Sequence, residues 1–269
     1  EIRKTKRLTD KPFGVNITLL PTARPVNYED YFKATIEEGV KIVETSGRSP
    51  EPYVKLIKDA GAILMHRATR TRDIKTAERV GADMVTILGT EAAGHPGQEE
   101  VTTLVRVPIA ADAVKVPVIA AGGIADARGF VAALALGADG VLMGTRFMAS
   151  KECDIHPKVK EWLLGLGEAD TILIQKSTRN ASRVVRTEHT EKILEMENKG
   201  ATLEELLPLI SGQRGVNAYA TGDVSGASIT VGQVVGLIHD IPSIKEIIDG
   251  IISEAKVIMK HLQKMGVAG

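Results

Sequence analysis

Four stretches of the chain repeat one phrase: apolar residues at helical spacing, then a glycine, then a short unbroken apolar run. The phrase occurs at Glu38-Gly39-Val40 into Lys41-Ile42-Val43, and at Ala60-Gly61-Ala62 into Ile63-Leu64-Met65. It returns at Val80-Gly81-Ala82 into Met84-Val85-Thr86-Ile87-Leu88, and at Leu136-Gly137-Ala138 into Gly140-Val141-Leu142-Met143. A glycine just past a helix supplies the left-handed backbone that ends it. The run behind each glycine is continuous, the pattern of a strand covered on both faces. The first three glycines stand about twenty residues apart, room for a strand, a loop and a helix of two to three turns. The phrase is therefore a βα repeat, which implies parallel strands joined by right-handed crossovers.

Two further strands join the series. Phe13 to Leu19 follows the turn Asp10-Lys11-Pro12, and Pro117 to Ala121 ends at Gly122-Gly123. Amphipathic helices are predicted over Tyr28–Glu38, Glu51–Ala60, Arg72–Val80, Val101–Val114 and Ala127–Leu136. Six strands thus fill residues 13 to 146. No G-x-G-x-x-G stands between a strand and a helix, so a dinucleotide fold is disfavoured. Glycine-bearing ends on two consecutive late strands are where a (β/α)8 barrel holds a phosphate. The expected fold is α/β, a (β/α)8 TIM barrel lacking its first two βα units in this chain. Glu1 to Thr9 reads as the end of a helix, and two units would precede it.

After Arg146 the rhythm changes. Thr171 to Arg183 leans towards strand, while Glu188–Lys199 and Leu203–Ile210 are predicted helices separated by Gly200. Gly212 to Gly226 is predicted as a glycine-rich loop, and Ser228–Ile238 and Ser243–Met265 as helices. The expected organisation is a barrel over 1–146 (its strands 3–8), a helical lid or substrate region over 147–226, and helices over 227–269 returning to the barrel.

Composition changes this picture only by exclusion. Lysine plus arginine and aspartate plus glutamate both total 34, so the formal charge is zero and no cationic excess awaits a nucleic-acid backbone. Aromatic residues make up only 3%, which suits helix packing on parallel strands better than a β-sandwich. Cys153 is alone, so no intrachain disulfide forms, and a reducing, cytoplasmic setting is expected. No apolar run approaches the roughly 18 residues that suggest a membrane span. The long terminal helix is compatible with a homodimer.

The candidate chemistry lies in the loops behind the strands, which a parallel barrel gathers on one face. One pair is Ala120-Ala121-Gly122-Gly123-Ile124-Ala125-Asp126 and Met143-Gly144-Thr145-Arg146-Phe147. Glycines there let backbone N–H groups approach an anion, helix starts favour it, and the Thr145 hydroxyl adds a donor. The pair reads as a phosphate cradle, and by itself leaves the ligand open. The alternative is tight strand–helix packing. A second candidate is Gly89-Thr90-Glu91-Ala92-Ala93-Gly94-His95-Pro96-Gly97, in which His95 can exchange a proton near neutral pH; otherwise it braces the loop. Of His66 and Arg67, one should point inward, and Arg67 is either a cation beside a ligand or half of a salt bridge. Asn16 is expected to be a buried amide in need of a partner. His156 reads as a helix cap, and His189, His239 and His261 as solvated helical positions. No metal-ligand spacing and no G-x-S-x-G elbow occurs.

Taken together, these motifs resemble those of the nitronate monooxygenases, a superfamily that includes FMN-dependent enoyl-acyl-carrier-protein reductases and NADH:quinone reductases. The likeness rests on Pro12-Phe13-Gly14-Val15-Asn16, Glu91 to Gly97, Ala120 to Asp126 and Leu136 to Phe147, with Ser211-Gly212-Gln213-Arg214-Gly215 and Gly222-Asp223 in the lid. The resemblance implies an FMN-binding barrel. Ala121, Gly122, Gly123, Gly144 and Thr145 would hold the phosphate end, Asn16 and Arg67 would lie along the flavin, and Ala93-Gly94 would approach its ring. His95 matches the family's active-site histidine. The default activity implied is oxidation of a nitronate by O2 to a carbonyl compound and nitrite. In the reductase branches NADH or NADPH would be co-substrate and a quinone or enoyl thioester the acceptor. Asp154-Ile155-His156-Pro157 and Ser211 to Gly215 lie nearest the quinone-reductase branch, and the branches are not separated by sequence. A non-catalytic phosphate-ligand binder is the contrasting class. The family's first strand carries a Gln-Gly-Gly-Met loop that this chain does not contain.

Overall fold

The computed structural model describes residues 1–20 and 26–266. A helix α1 (Ile2–Leu8) leads into β1 (Gly14–Leu19), α2 (Tyr28–Glu37), β2 (Ile42–Gly47), α3 (Glu51–Asp59), β3 (Ile63–Ala68), α4 (Thr71–Val80) and β4 (Met84–Leu88). Then come α5 (Thr103–Ala113), β5 (Val118–Ala121), α6 (Ala127–Ala135), β6 (Gly140–Leu142) and the short α7 (Thr145–Met148). The six strands form one sheet in chain order, β1 to β6. The order never reverses, so the sheet has no switch point of the doubly wound kind. The chain is an α/β protein. By contact density it divides into one unit of Glu1–Leu88, Arg106–Ala120 and Gly137–Asp139, and a second of Gly89–Val105, Ala121–Leu136 and Gly140–Gly269.

In the first unit the parallel register aligns Asn16 with Glu44, Thr45 with His66 and Arg67 with Thr86. Strand side chains alternate between faces. Ile17, Leu19, Val43, Leu64, Val85 and Ile87 are buried, as are Phe32, Ile57 and Ile74 on the helices. Phe32 and Tyr53 stack at 4.3 Å. The other face of β1, at Asn16 and Thr18, is exposed. Strand β1 is thus covered on one face only, its Asn16 and Thr18 alternating with Ile17 and Leu19. The repeated Gly-Ala-Asp has a concrete job. Gly81 ends α4 in the left-handed region at φ 112°, and two residues later the Asp83 carboxylate accepts from the N–H of Leu64 at 2.7 Å. Asp139 does the same for Val118 at 2.9 Å. Each aspartate fixes the start of its strand against the preceding one.

The second unit holds α6, α7, α8 (Pro157–Leu163), an antiparallel hairpin of β7 (Thr171–Ile174) and β8 (Ser182–Val185), α9 (Glu188–Asn198), α10 (Leu203–Ile210), α11 (Gly212–Thr221) and α12 (Ile244–Lys264). Capping boxes start α9 at Thr187, α10 at Thr202 and α12 at Ser243. Helix α12 packs on α6. Two expectations need correction. Residues 212–221 are helical, not a loop: Gly212 and Gly215 sit in the first turn, Ala218 is buried, and the helix ends only at Gly222, φ 83°. Residues 228–238 are not one helix. Gly232 and Gly236 interrupt a β-branched run, so 228–232 is irregular and only Gln233–Leu237 makes a 3-10 turn. The carbonyl of Ile229 accepts from Val185 N–H at 2.8 Å.

Candidate active site

In the second unit three loops are tied together by a small set of polar groups that the motifs alone did not assign. Glu91 lies within the His95 loop, and both its carboxylate oxygens accept from the N–H of Thr103, at 3.0 and 2.9 Å. The Thr103 hydroxyl donates to Glu91 Oε2 at 3.1 Å and to the carbonyl of Gly122 at 2.9 Å. The head of α5 thus joins the His95 loop to the diglycine loop. Contact is so close that a Cβ on Gly89 would lie 2.1 Å from Thr103 Oγ1. From the far side, Gln233 N–H donates to the carbonyl of Glu91 at 3.0 Å, and Gly232 N–H to the Thr145 hydroxyl at 3.0 Å. Gly232 must be glycine, since a Cβ would stand 2.6 Å from the Glu91 carbonyl oxygen.

A second brace comes from β8. The backbones of Gly94 and Arg183 pair as an antiparallel bridge, with N–H to carbonyl distances of 3.1 and 2.6 Å. The Arg183 side chain reaches back to the Thr90 carbonyl through Nε at 2.8 Å. Thr90 and Gly94, both ahead of His95 in its loop, are therefore pinned to one residue. His95 itself is exposed. Its imidazole pKa is lowered from 6.5 by the desolvation that the surrounding protein imposes. A pinned loop thus presents an accessible, neutral imidazole at pH 7.

The glycines of the two strand-end loops differ in what they are for. Gly122 and Gly123 are left-handed, at φ 96° and 72°, and a Cβ on Gly122 would come within 3.0 Å of the backbone nitrogen of Ala92. Chain packing alone explains Gly122. Gly144 has φ −106°, and a Cβ there would meet no atom within 4 Å. Neither conformation nor packing requires that glycine, so its smallness leaves room for something other than protein. Thr145 is buried with its hydroxyl turned to Gly232, and Ala121 is buried beside the diglycine turn. Arg146 is structural: it pairs with Asp240 at 2.8 Å.

The first unit carries a separate polar cluster on the strand face opposite α2–α4. Asn16 Nδ2 donates to Glu44 Oε2 at 2.6 Å, and Arg67 lies 3.6 Å from the same oxygen. Asn16 is exposed rather than buried, because its strand position faces away from the helices; its partner is the register neighbour Glu44. Glu44 was not singled out in the sequence, although a lone carboxylate in an apolar run was its signal. Its Oε1 is buried without a donor, as is the hydroxyl of Thr86. Of the pair at 66 and 67, His66 is the buried one. Its Nδ1 lies 2.9 Å from the Thr45 hydroxyl, and burial pushes its pKa down to about 4.

The remaining histidines do other work. His156 caps α8 by accepting from Lys158 N–H at 3.2 Å. His189 is half-buried, not simply solvated, and its Nε2 lies 3.0 Å from the Leu209 carbonyl oxygen, a bond that steadies α9 against α10. His239 is exposed but lies outside any helix, and His261 is exposed on α12. Among the described residues no group of three or more potential ligands could hold a metal ion, and no helix is long and apolar enough to cross a membrane.

Comparison with known proteins now gives this geometry a context. The sequence profile of the nitronate monooxygenase family matches residues 1–254. A protein of Rhodococcus jostii strain RHA1, (3aS,4S,5R,7aS)-5-hydroxy-7a-methyl-1-oxo-octahydro-1H-indene-4-carboxyl-CoA dehydrogenase, is 30% identical over 98% of this chain and 83% of its own length. A probable nitronate monooxygenase of Bacillus subtilis strain 168 is 34% identical over 64% of this chain and 60% of its own. Among solved structures, FabK from Thermotoga maritima is 39% identical with a TM-score of 0.92, covering 98% of this chain and 82% of that one.

Proposed function

The chain belongs to the nitronate monooxygenase family of oxidoreductases, and from that footing we propose that it is an FMN-dependent enzyme that oxidises alkyl nitronates with O2 to carbonyl compounds and nitrite. Its six-stranded sheet is read as the larger part of a (β/α)8 barrel, with residues 147–226 as the lid. The observation that carries the reading is the neutral, accessible imidazole of His95 on a loop pinned at Thr90 and Gly94.

Gly144 supplies the test of fit for the cofactor. The open space at its Cβ position suits a phosphate approached by backbone N–H groups, and hydrogen bonds through Thr103, Glu91 and Gly232 link the Gly122-Gly123 turn to the adjoining Thr145. Gly123, Gly144 and Thr145 would hold that phosphate, with Ala121 and Gly122 shaping the turn and Ala93-Gly94 beside the ring. Asn16 and Arg67 are assigned to the flavin on the family resemblance, and Glu44 sets their orientation. When bound, FMN supplies the electron acceptor that no side chain of this protein can provide.

The protein's part is then positional and acid–base. A neutral imidazole can take the α-proton of a nitroalkane at its free ring nitrogen, or donate its N–H to a nitronate oxygen. Bracing by Glu91 and Arg183 holds the loop backbone that leads into His95 while solvent still reaches the ring. Because the His95 pKa lies below 6.5, the base form prevails at neutral pH, and turnover that needs it falls as the pH drops below that value.

A second reading draws on one specific observation: among the relatives that match nearly the whole chain are FabK and a protein named for a carboxyl-CoA substrate. On that reading NADH or NADPH is the reductant and an enoyl thioester or a quinone the acceptor, with the His95 N–H on the developing negative charge of a carbonyl oxygen. An anaerobic absorbance titration separates the two. Bleaching of the flavin by a nitronate without nicotinamide supports the first; bleaching by NADH or NADPH alone supports the second. A colourless protein that takes up no FMN overturns both.

A further inference from the structure

The hairpin β7–β8, helix α9 and Glu100 line a cavity of about 630 Å³ in the second unit. No residue of the two glycine loops lines it. Three cations do: Arg183, Arg186 and Lys176. Arg183 is 6% exposed, and its neighbours are all neutral oxygens: the Thr90 carbonyl at 2.8 Å, the Thr171 hydroxyl at 2.9 Å and the Thr90 hydroxyl at 3.5 Å. Those contacts occupy three of the five N–H groups of a guanidinium. Among the described residues no carboxylate forms an ion pair with it. Burial pushes the Arg183 pKa down, against the pull of Glu91 and Glu100. A buried cation with no carboxylate in contact is costly, and the more distant Glu91 and Glu100 offset that cost only in part.

The two carboxylates on the cavity wall are already engaged. Glu100 pairs with Lys176. Glu197, itself buried, accepts from Gln175 N–H at 2.5 Å, Ser177 N–H at 3.1 Å and the Ser177 hydroxyl at 2.7 Å. Arg186 pairs with Glu191 at 3.2 Å but keeps about half its side chain in solvent. Arg183 thus sits at the floor of the cavity, and Arg186 and Lys176 at its rim.

We propose that this cavity binds the phosphate monoester of an organic ligand, held by Arg183 at the floor and by Arg186 and Lys176 at the rim. A guanidinium whose fork is fixed by neutral acceptors is ready to meet phosphate oxygens with its remaining N–H groups. Two ligand classes carry such a group: a coenzyme A thioester at its ribose 3′-phosphate and a nicotinamide nucleotide at its 2′-phosphate. Because Arg183 also pins Thr90 and Gly94, an occupant of this cavity meets the same residue that holds the His95 loop. The site stands independently of the flavin reading, because its test needs neither flavin nor turnover.

The test is calorimetric titration of the full chain at low salt with 3′-AMP and with 2′-AMP, beside adenosine as the control. One phosphorylated probe is expected to bind while its control does not, and the probe that binds identifies the source. Arg186→Gln and Lys176→Gln should each weaken that binding by about tenfold, and 0.5 M salt should weaken it further. Arg183→Lys also loosens Thr90, so the two rim variants decide. Silence from both phosphorylated probes, or affinities unmoved by both rim substitutions, overturns the proposal.

Discussion

The polar groups of the first unit stand on strands and those of the second on loops, and the two sets are held by different means. Asn16, Glu44 and Arg67 share a face because parallel register and side-chain alternation put them there. Nothing beyond the sheet is needed to place them. His95 and the glycine turns have no ladder to hold them, and a side-chain network does that work instead: Glu91 on Thr103, Thr103 on Gly122, Gly232 on Thr145, and Arg183 on Thr90. The histidines repeat the contrast. His66 is locked in β3 against Thr45 and shielded from solvent, while His95 is exposed on a braced loop. A group that must meet a substrate has to be held without being enclosed, and bracing from behind achieves that.

The sharpest break in this contrast is His95→Ala. Loss of a positioned acid–base group should lower kcat/KM by roughly 10²- to 10⁴-fold, and because the side chain is exposed the thermal midpoint should barely move. A fall in stability comparable to that of a core substitution would place His95 with His66 instead. Next in size is Glu91→Ala. It strips the Thr103 N–H of its acceptor, and a hydrogen bond to a charged group is worth about 1.5–3 kcal/mol. Urea unfolding should show a loss in that range together with reduced turnover, whereas reduced turnover at unchanged stability would show that the loop holds itself.

Acid sharpens the comparison from the other side. The folded protein keeps His66 neutral down to about pH 4, while the unfolded chain takes up that proton near 6.5. The unfolded state therefore binds more protons across this window, and stability should fall as pH drops from about 6.5 to 4, by up to about 3 kcal/mol from this residue. Urea midpoints of the wild type and His66→Asn, taken across the window, should converge as the pH falls; parallel curves would show that His66 is not the proton acceptor. The smallest effect is expected at Asn16→Ala. An exposed strand residue should change stability by no more than about 0.5 kcal/mol, while any defect in flavin binding would mark the strand face as functional.

Much of this was legible in the chain, and the reasons are physical. Each helix-glycine-strand phrase carries its own stop signal, so α2, α3, α4 and α6 begin and end within a residue or so of the positions that periodicity marks. The same local logic misread residues 212–238. Glycine content suggested a loop where Gly212 and Gly215 merely open α11, and apolar density suggested a helix where Gly232 is held by Glu91 and Thr145. The candidate loops were legible as glycine- and histidine-bearing strand ends. Their bracing was not, because Thr90 and Arg183 are more than ninety residues apart and meet only through tertiary structure. Glu44 stood in plain view as a charge inside a strand, yet its partners become visible only in register.

The claim on which the function depends is that the space left by Gly144 belongs to a cofactor phosphate. Valine at that position would meet no protein atom near its Cβ and adopt an ordinary backbone conformation, so Gly144→Val should fold as the wild type does. Fluorescence titration of the two proteins with FMN and with riboflavin measures the point directly. The wild type should prefer FMN, and Gly144→Val should lose that preference while keeping its thermal midpoint. Equal FMN affinity in the two proteins would contradict the assignment.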